Sequence, residues 1–149
     1  MSNTNDIVKK LEELNTSSFQ FCQINDKNEY VSIEEYVPVS VDEIIVIINR
    51  VFSGMILAYE KFGFRHGFLD PKNIFVEKEG EEIKILINVT ASFENNFPML
   101  LNELATFVSL YERCLIGKKI FQNDIAPFRT LQLELIKVNN IDELKLLLD

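Results

Sequence analysis

One long apolar helix is the feature that most constrains how this chain folds. Apolar side chains recur at three- and four-residue spacing from Ile44 to Tyr59, a stripe about five turns long. Ser40 or Asp42 can cap its start, and Gly63 is placed to end it. Because Val46, Ile47 and Leu57 between the stripe positions are also apolar, we expect this helix to be buried on most sides and the other elements to pack around it.

Length and charge set the broad class of protein. A chain of 149 residues with 47% hydrophobic and 26% charged residues predicts one globular domain over 1–149. No apolar run reaches the roughly 18 residues that cross a bilayer, and the amino-terminal residues do not resemble a signal peptide, so we expect a cytoplasmic protein without membrane contact. The net charge of -8 argues against a nucleic-acid partner, whose phosphates it would repel.

The cysteines and the single histidine predict no metal site. Cys22 and Cys114 are far apart, show no metal-ligand spacing and have only His66 as a further soft ligand in the chain. We expect two reduced thiols, no metal and no cofactor.

The amino-terminal third predicts a short helix and a β-hairpin. Apolar residues on one face indicate a helix over 6–14, with Asn5 as its N-cap. The runs FQFCQI and YVSIEEYV both alternate apolar and polar residues, and the polar NDKN between them is typical of a turn. We therefore expect these runs to pair with each other.

The remainder predicts a second hairpin and more helices. NIFVEKEGEEIKILINV indicates two strands joined at Gly80. A second long helix follows over 97–116, closed by Gly117, and LQLELIKV and IDELKLLLD indicate two helices at the carboxyl end. The predicted fold class is α+β and mostly helical.

The stretch RHGFLDPKNIFV, residues 65–76, joins the first long helix to the second hairpin and carries a family resemblance. It resembles the HRDLKPENI catalytic loop of eukaryotic-type protein kinases, and IKIL at 83–86 is similar to the strand that leads to the family's DFG motif. Upstream, EEYVP is similar to the hinge between the two kinase lobes. Downstream, ELATFVSLYERCLIGKKIF is similar to the central helix of the large lobe, so the resemblance covers about 6–121.

The resemblance implies a minimal kinase-like core without the catalytic carboxylates. The family's catalytic Asp falls on Phe68 and its DFG Asp on Ile87, whereas Asn73 keeps the other metal-ligand position. The glycine-rich loop and the phosphate-binding lysine have no counterpart, and too few residues lie between Ile87 and Glu103, where the family's central helix begins, for a full activation segment. We therefore expect a remnant of the small lobe and hinge over 6–37, a reduced large lobe over 38–149, and no strong ATP binding.

The remaining loop residues are expected to hold the shape of the loop. By the resemblance, His66 packs under the loop and bonds to backbone, Glu103 accepts hydrogen bonds from the loop backbone, and Asn73 caps the loop through its amide. Phe68 is expected to fill the former nucleotide cleft with apolar atoms. Asp70, two positions after Phe68, is the one acidic residue of the loop that could serve as a displaced catalytic aspartate.

Three hypotheses for function follow. The first is an inactive kinase-like protein that binds another protein, either as a scaffold subunit or as a regulator or decoy of a partner kinase. A partner, a second copy of the chain or the rearranged carboxyl-terminal helices would cover the sheet edge and apolar face expected around Phe19, Phe21, Tyr30 and Ile33, and a complex or homodimer follows from the first two. The second is a reduced phosphotransferase for a small molecule that uses Asp70 and Asn73, and the third is an unrelated helical adaptor.

Overall fold

The computed structural model describes residues 4–24, 29–66, 69–89, 93–94, 96–118 and 126–148. Five α-helices and six short strands occupy these ranges. The helices are α1 (Thr4–Glu12), α2 (Val41–Phe62), α3 (Phe97–Gly117), α4 (Ala126–Lys137) and α5 (Ile141–Leu146). The strands are β1 (Phe19–Cys22), β2 (Val31–Ser32), β3 (Phe64–Arg65), β4 (Ile74–Glu79), β5 (Glu82–Asn88) and β6 (Phe93–Glu94).

Helix α2 is the central element, as the apolar stripe predicts. The Ser40 side chain accepts a hydrogen bond from the Glu43 backbone N–H at 3.2 Å and caps the first turn. Gly63 ends the helix with a φ of 61°, a conformation that favours glycine. The helix contacts β1, β5 and α3, and it is open to solvent at Ile45 on its amino-terminal half.

The second predicted hairpin is confirmed. Strands β4 and β5 pair antiparallel from Ile74 opposite Ile87 to Glu79 opposite Glu82, and Gly80 turns the chain with a φ of 63°. Both strands bury most of their side chains where they lie beneath the helices and expose charged residues towards the turn. This pair is the centre of the sheet, because the two shorter strands add to its outer edges.

The first predicted hairpin is wrong. Strand β1 pairs parallel with β5, and β2 pairs antiparallel with β4, so the sheet order is β1-β5-β4-β2 and the two strands lie on opposite edges. Alternation predicts which face of a strand is buried but does not choose its neighbour. Here the long β4–β5 pair offers each short strand a backbone edge, and parallel pairing puts Phe19 and Phe21 in register with Ile85 and Ile87.

Smaller differences concern the ends of elements. Helix α1 begins at Thr4, so Asn5 lies inside the helix instead of capping it. Helix α3 ends at Gly117, one residue later than predicted, and Lys118 instead of Gly117 is its C-cap. The pair β3–β6, two residues from each strand, carries too little sequence pattern to be predicted.

One cluster of buried apolar side chains draws on all five helices and the strands β1, β3, β4 and β5. The four-stranded sheet and the five helices make this an α+β fold. In the ranges that the structure describes, no helix combines the length and the apolar character that a bilayer crossing needs.

Candidate functional site: the loop between β3 and β4

The loop that follows β3 is bound into the core on both sides of residues 67–68. Before them, Phe64 is buried and the backbone of β3 pairs with β6. After them, Leu69 and Pro71 are buried, residues Pro71–Asn73 form one turn of 3-10 helix, and Ile74 starts β4 without exposed surface. Phe68, on which the prediction of a filled cleft rests, lies outside the described residues.

His66 is a fully buried histidine whose ring bonds to the backbone. Its Nε2 pairs with the carbonyl oxygen of Asn88, and because a carbonyl can only accept, Nε2 carries the proton. Burial lowers the pKa of His66, and the bond to Asn88 opposes this effect in part. The neutral ring therefore connects the start of the loop to the end of β5 inside the core.

Glu103 supports the same residue from α3. The His66 backbone N–H donates to the Glu103 Oε1 atom at 3.3 Å, across 37 positions of sequence. This is the kind of contact expected of Glu103 from the sequence. The bond fixes the start of the loop on the helix that runs beneath it.

Asp70 is used in the local fold of the loop. Its Oδ1 atom accepts a hydrogen bond from the Lys72 backbone N–H at 2.9 Å and so caps the 3-10 turn. Its backbone carbonyl accepts a second bond, from the Asn73 N–H at 2.8 Å. Asn73 is half-buried at the end of this turn, and Lys72 is exposed.

Ile87 lies in the interior of the sheet. It has no exposed surface and stands opposite Phe21 on one neighbouring strand and Ile74 on the other. A Cβ atom built on Gly54 of α2 would lie 3.1 Å from the Ile87 Cδ1 atom, so helix and strand meet here at close contact. The surroundings of this side chain are therefore apolar and closely packed.

The apolar face expected to await a partner is largely covered by the chain itself. Phe19, Phe21 and Ile33 are buried, and only Tyr30, 36% exposed, reaches the surface. The expectation of exposure is therefore wrong for those three. It assumed a free hairpin, whereas β1 lies beside β5 and under α2, so its aromatic side chains face the core.

The sequence analysis missed two buried polar residues that join segments distant in sequence, Asn88 and Glu43. Asn88 is buried at the end of β5, where its Oδ1 atom accepts from the Ile24 N–H at 2.8 Å while its carbonyl meets the His66 ring. The signal was present as one amide inside the apolar run ILINV. A buried amide needs partners, and here the side chain binds the residues that follow β1 while the backbone carbonyl of the same residue binds the loop.

The second missed group is Glu43 in the first turn of α2. It is buried, accepts hydrogen bonds from the Tyr36 hydroxyl and from the Val39 N–H (3.2 Å), and its Oε2 atom lies 3.4 Å from the Lys78 Nζ atom. Its sequence position suggests only an ordinary acidic residue at a helix start. The contacts show that it fastens the 36–39 segment and β4 to the central helix.

Tyr111 of α3 allows a stability prediction. The ring is fully buried between Phe107 and Phe128, and its hydroxyl has no hydrogen-bond partner in the part of the chain that the structure describes. A buried hydroxyl without a partner costs about 1–3 kcal/mol. Tyr111→Phe is therefore expected to leave the free energy of unfolding unchanged or to raise it by about 1 kcal/mol, measured by urea denaturation.

Tyr36→Phe is the matched control for that measurement. It removes a hydroxyl that donates to the Glu43 carboxylate, so it should lower the free energy of unfolding by about 1–2 kcal/mol. A loss of similar size in Tyr111→Phe would show that the Tyr111 hydroxyl has a stabilising partner.

No group of three or more histidine, cysteine, aspartate and glutamate side chains is placed to hold a metal ion in the described ranges. The two thiols are poorly suited to act as nucleophiles, which requires the thiolate. Burial, with smaller contributions from Glu77 and Glu12, raises the pKa of Cys22 to about 11, and burial also raises the pKa of Cys114.

Comparison with known proteins found no matching family model, no matching curated protein and no matching solved structure. The resemblance to protein kinases is accordingly a hypothesis that the sequence motifs alone carry.

Proposed function

We propose that this chain is a catalytically inactive, kinase-like protein that acts by binding another protein. The observation that carries the proposal is the use of the loop as an internal support: the His66 ring is buried on the Asn88 carbonyl and the His66 N–H is held by Glu103. A loop fixed in this way keeps its shape without a reacting group. The positions at which the family needs acids hold Phe68 and the buried Ile87.

The alternative of a reduced phosphotransferase depends on Asp70. A working site would need this carboxylate at a substrate hydroxyl or on a metal that binds phosphate oxygens. In the structure its Oδ1 atom caps the 3-10 turn through the Lys72 N–H, and among the described residues it belongs to no group of three or more metal-ligand side chains. Because the Asp70 side chain is used to cap this turn, the inactive protein is favoured over the phosphotransferase.

Nucleotide addition tests this choice between the two functions. We expect millimolar MgATP to leave the melting temperature unchanged. By the resemblance, the catalytic Asp position holds Phe68 and the magnesium-binding DFG Asp position holds Ile87, so both carboxylates are missing. Binding at a hundred times the dissociation constant would instead add about 2.7 kcal/mol, a rise of several degrees. If such a rise occurs and Asp70→Asn removes it, the phosphotransferase is the better description.

Affinity purification from the native cell tests the proposed binding role. A scaffold subunit should recover several non-kinase proteins in fixed proportion, whereas a regulator or decoy should recover one intact kinase. Charge reversals on the surface, such as Glu81→Lys at the exposed β4–β5 turn, serve as controls for non-specific capture, since the protein is strongly acidic. Recovery of no protein in stoichiometric amount would contradict the proposal.

A further inference from the structure

Strand β1 forms one outer edge of the four-stranded sheet, where a sheet can accept a further strand. It pairs with β5 on one side, and there the Cys22 carbonyl accepts a hydrogen bond from the Val89 N–H at 2.8 Å. Because backbone groups alternate in direction along a strand, Phe19 and Phe21 direct theirs away from β5. An edge whose N–H and carbonyl groups are free pairs readily with strands of other chains.

The sequence around β1 lacks the usual protection of a sheet edge. Residues 14–25, LNTSSFQFCQIN, contain no charged side chain, no proline and no glycine. Natural sheets protect their edges with charges, with proline or with very short edge strands, and β2 at the other edge has only two residues. Uncharged segments that are rich in β-forming residues and contain no proline are the ones that pair between chains. The β1 edge therefore needs another kind of protection.

The residues that lead into β1 close this edge. The Thr16 N–H donates to the Phe19 carbonyl at 2.9 Å, and the Thr16 Oγ1 atom accepts from the Phe19 N–H at 3.2 Å. Asn15 makes the corresponding pair of contacts with Phe21. Its Oδ1 atom accepts from the Phe21 N–H at 2.8 Å, and its Nδ2 atom donates to the Phe21 carbonyl at 3.4 Å. All four outward backbone groups of the two phenylalanines therefore have partners within the chain.

The chemistry of the Asn15 side chain suits this position. A side-chain amide offers an acceptor and a donor side by side, as a backbone peptide does. Asn15 therefore occupies the place that the peptide of an added strand would take beside Phe21. Alanine at this position leaves both Phe21 groups without these partners, whereas aspartate keeps the acceptor for the Phe21 N–H and loses the donor for its carbonyl.

We propose that Asn15 makes an autoinhibitory contact, which keeps β1 from pairing with β1 of a second copy of this chain. The pairing that it prevents is antiparallel and two-fold, since an edge that meets its own copy in this way presents the same groups on both sides. The chain carries a net charge of -8, but the uncharged segment 14–25 places no charge on this edge to repel the copy. This inference goes beyond the proposed function and does not depend on the resemblance to kinases.

Sedimentation velocity of the full chain tests the contact. We expect Asn15→Ala to raise the fraction of self-associated protein at least about threefold over the unaltered chain, because the Phe21 N–H and carbonyl become open to a strand. Asn102→Ala, at an exposed position on α3, should leave that fraction unchanged. Tyr36→Phe loses a hydrogen bond elsewhere and leaves the edge closed, so it controls for self-association that follows from lower stability alone. Urea denaturation measures the stability of each variant.

Hydrogen exchange at the Phe21 amide shows whether the edge itself is responsible. In dilute Asn15→Ala this amide should exchange at least about tenfold faster than in the unaltered chain, and in the self-associated protein it should be protected again. Asn15→Asp keeps the acceptor and should keep the amide protected. Two results would overturn the proposal: self-association of Asn15→Ala no greater than that of Tyr36→Phe, or associated protein in which the Phe21 amide stays unprotected. Neither result touches the nucleotide and purification tests of the proposed function.

Discussion

Replacement of Phe21 by alanine is expected to lower the free energy of unfolding by about 3–5 kcal/mol. The ring is 1% exposed on β1, and its centroid lies 6.0 Å from Phe19 and 6.2 Å from Phe64, both edge-on. Alanine leaves a cavity between the sheet and the segment that follows α2, and it removes two aromatic contacts. Urea denaturation followed by circular dichroism measures the loss.

Tyr30 supplies the control, because the sequence placed both aromatic residues on one exposed face. Tyr30 is 36% exposed and contacts Phe75 with a centroid distance of 5.9 Å, so Tyr30→Ala should cost about 1 kcal/mol or less. Equal, small losses for the two variants would mean that Phe21 lies at the surface, as the sequence analysis expected. A large difference supports its place in the core.

Replacement of His66 by alanine is expected to cost about 2–4 kcal/mol at neutral pH. The change removes a fully buried ring and leaves the Asn88 carbonyl without the donor that the ring provides. His66→Gln keeps an amide donor of similar reach, so it should recover a good part of that loss. Lys72→Ala, an exposed position on the same loop, should be close to neutral.

The pH dependence of stability gives the same residue a second test. Burial lowers the pKa of His66 below the ordinary value of about 6.5, so below that pH the unfolded chain binds a proton that the folded chain refuses. The stability is therefore fully present above about 6.5 and falls with pH towards the folded pKa, by up to about 1.4 kcal/mol per pH unit. His66→Gln should lose this part of the slope between pH 7 and pH 5.5, and an unchanged slope would contradict a buried, neutral ring.

Local signals predicted the long elements well. The residues that end these elements are visible in the local sequence: Ser40 and Gly63 mark the ends of α2, and Gly80 marks the turn between β4 and β5. Periodicity and turn residues were therefore sufficient to predict them. The contact of Glu103 with the loop was anticipated from the motif and not from the periodicity. Its geometry depends on α3 packing under the loop.

The failures concern features that only the assembled fold decides. The alternation in FQFCQI predicted a strand but could not show that this strand pairs with β5. Phe19 and Phe21 were therefore assigned to the surface, whereas they lie in the core. Asn88 and Glu43 resemble many polar residues until their partners, from distant positions, are in place. Pairing and burial of this kind depend on contacts between residues far apart in sequence.

Native-state hydrogen exchange at the His66 amide measures most directly whether the loop is a fixed part of the core. The amide of this buried residue donates to Glu103, so we expect it to exchange slowly, with a protection that approaches the global free energy of unfolding. Glu103→Ala should lower that protection more than it lowers global stability. Fast exchange of His66 in the unaltered protein, at the rate of a mobile loop, would contradict a loop retained as internal support.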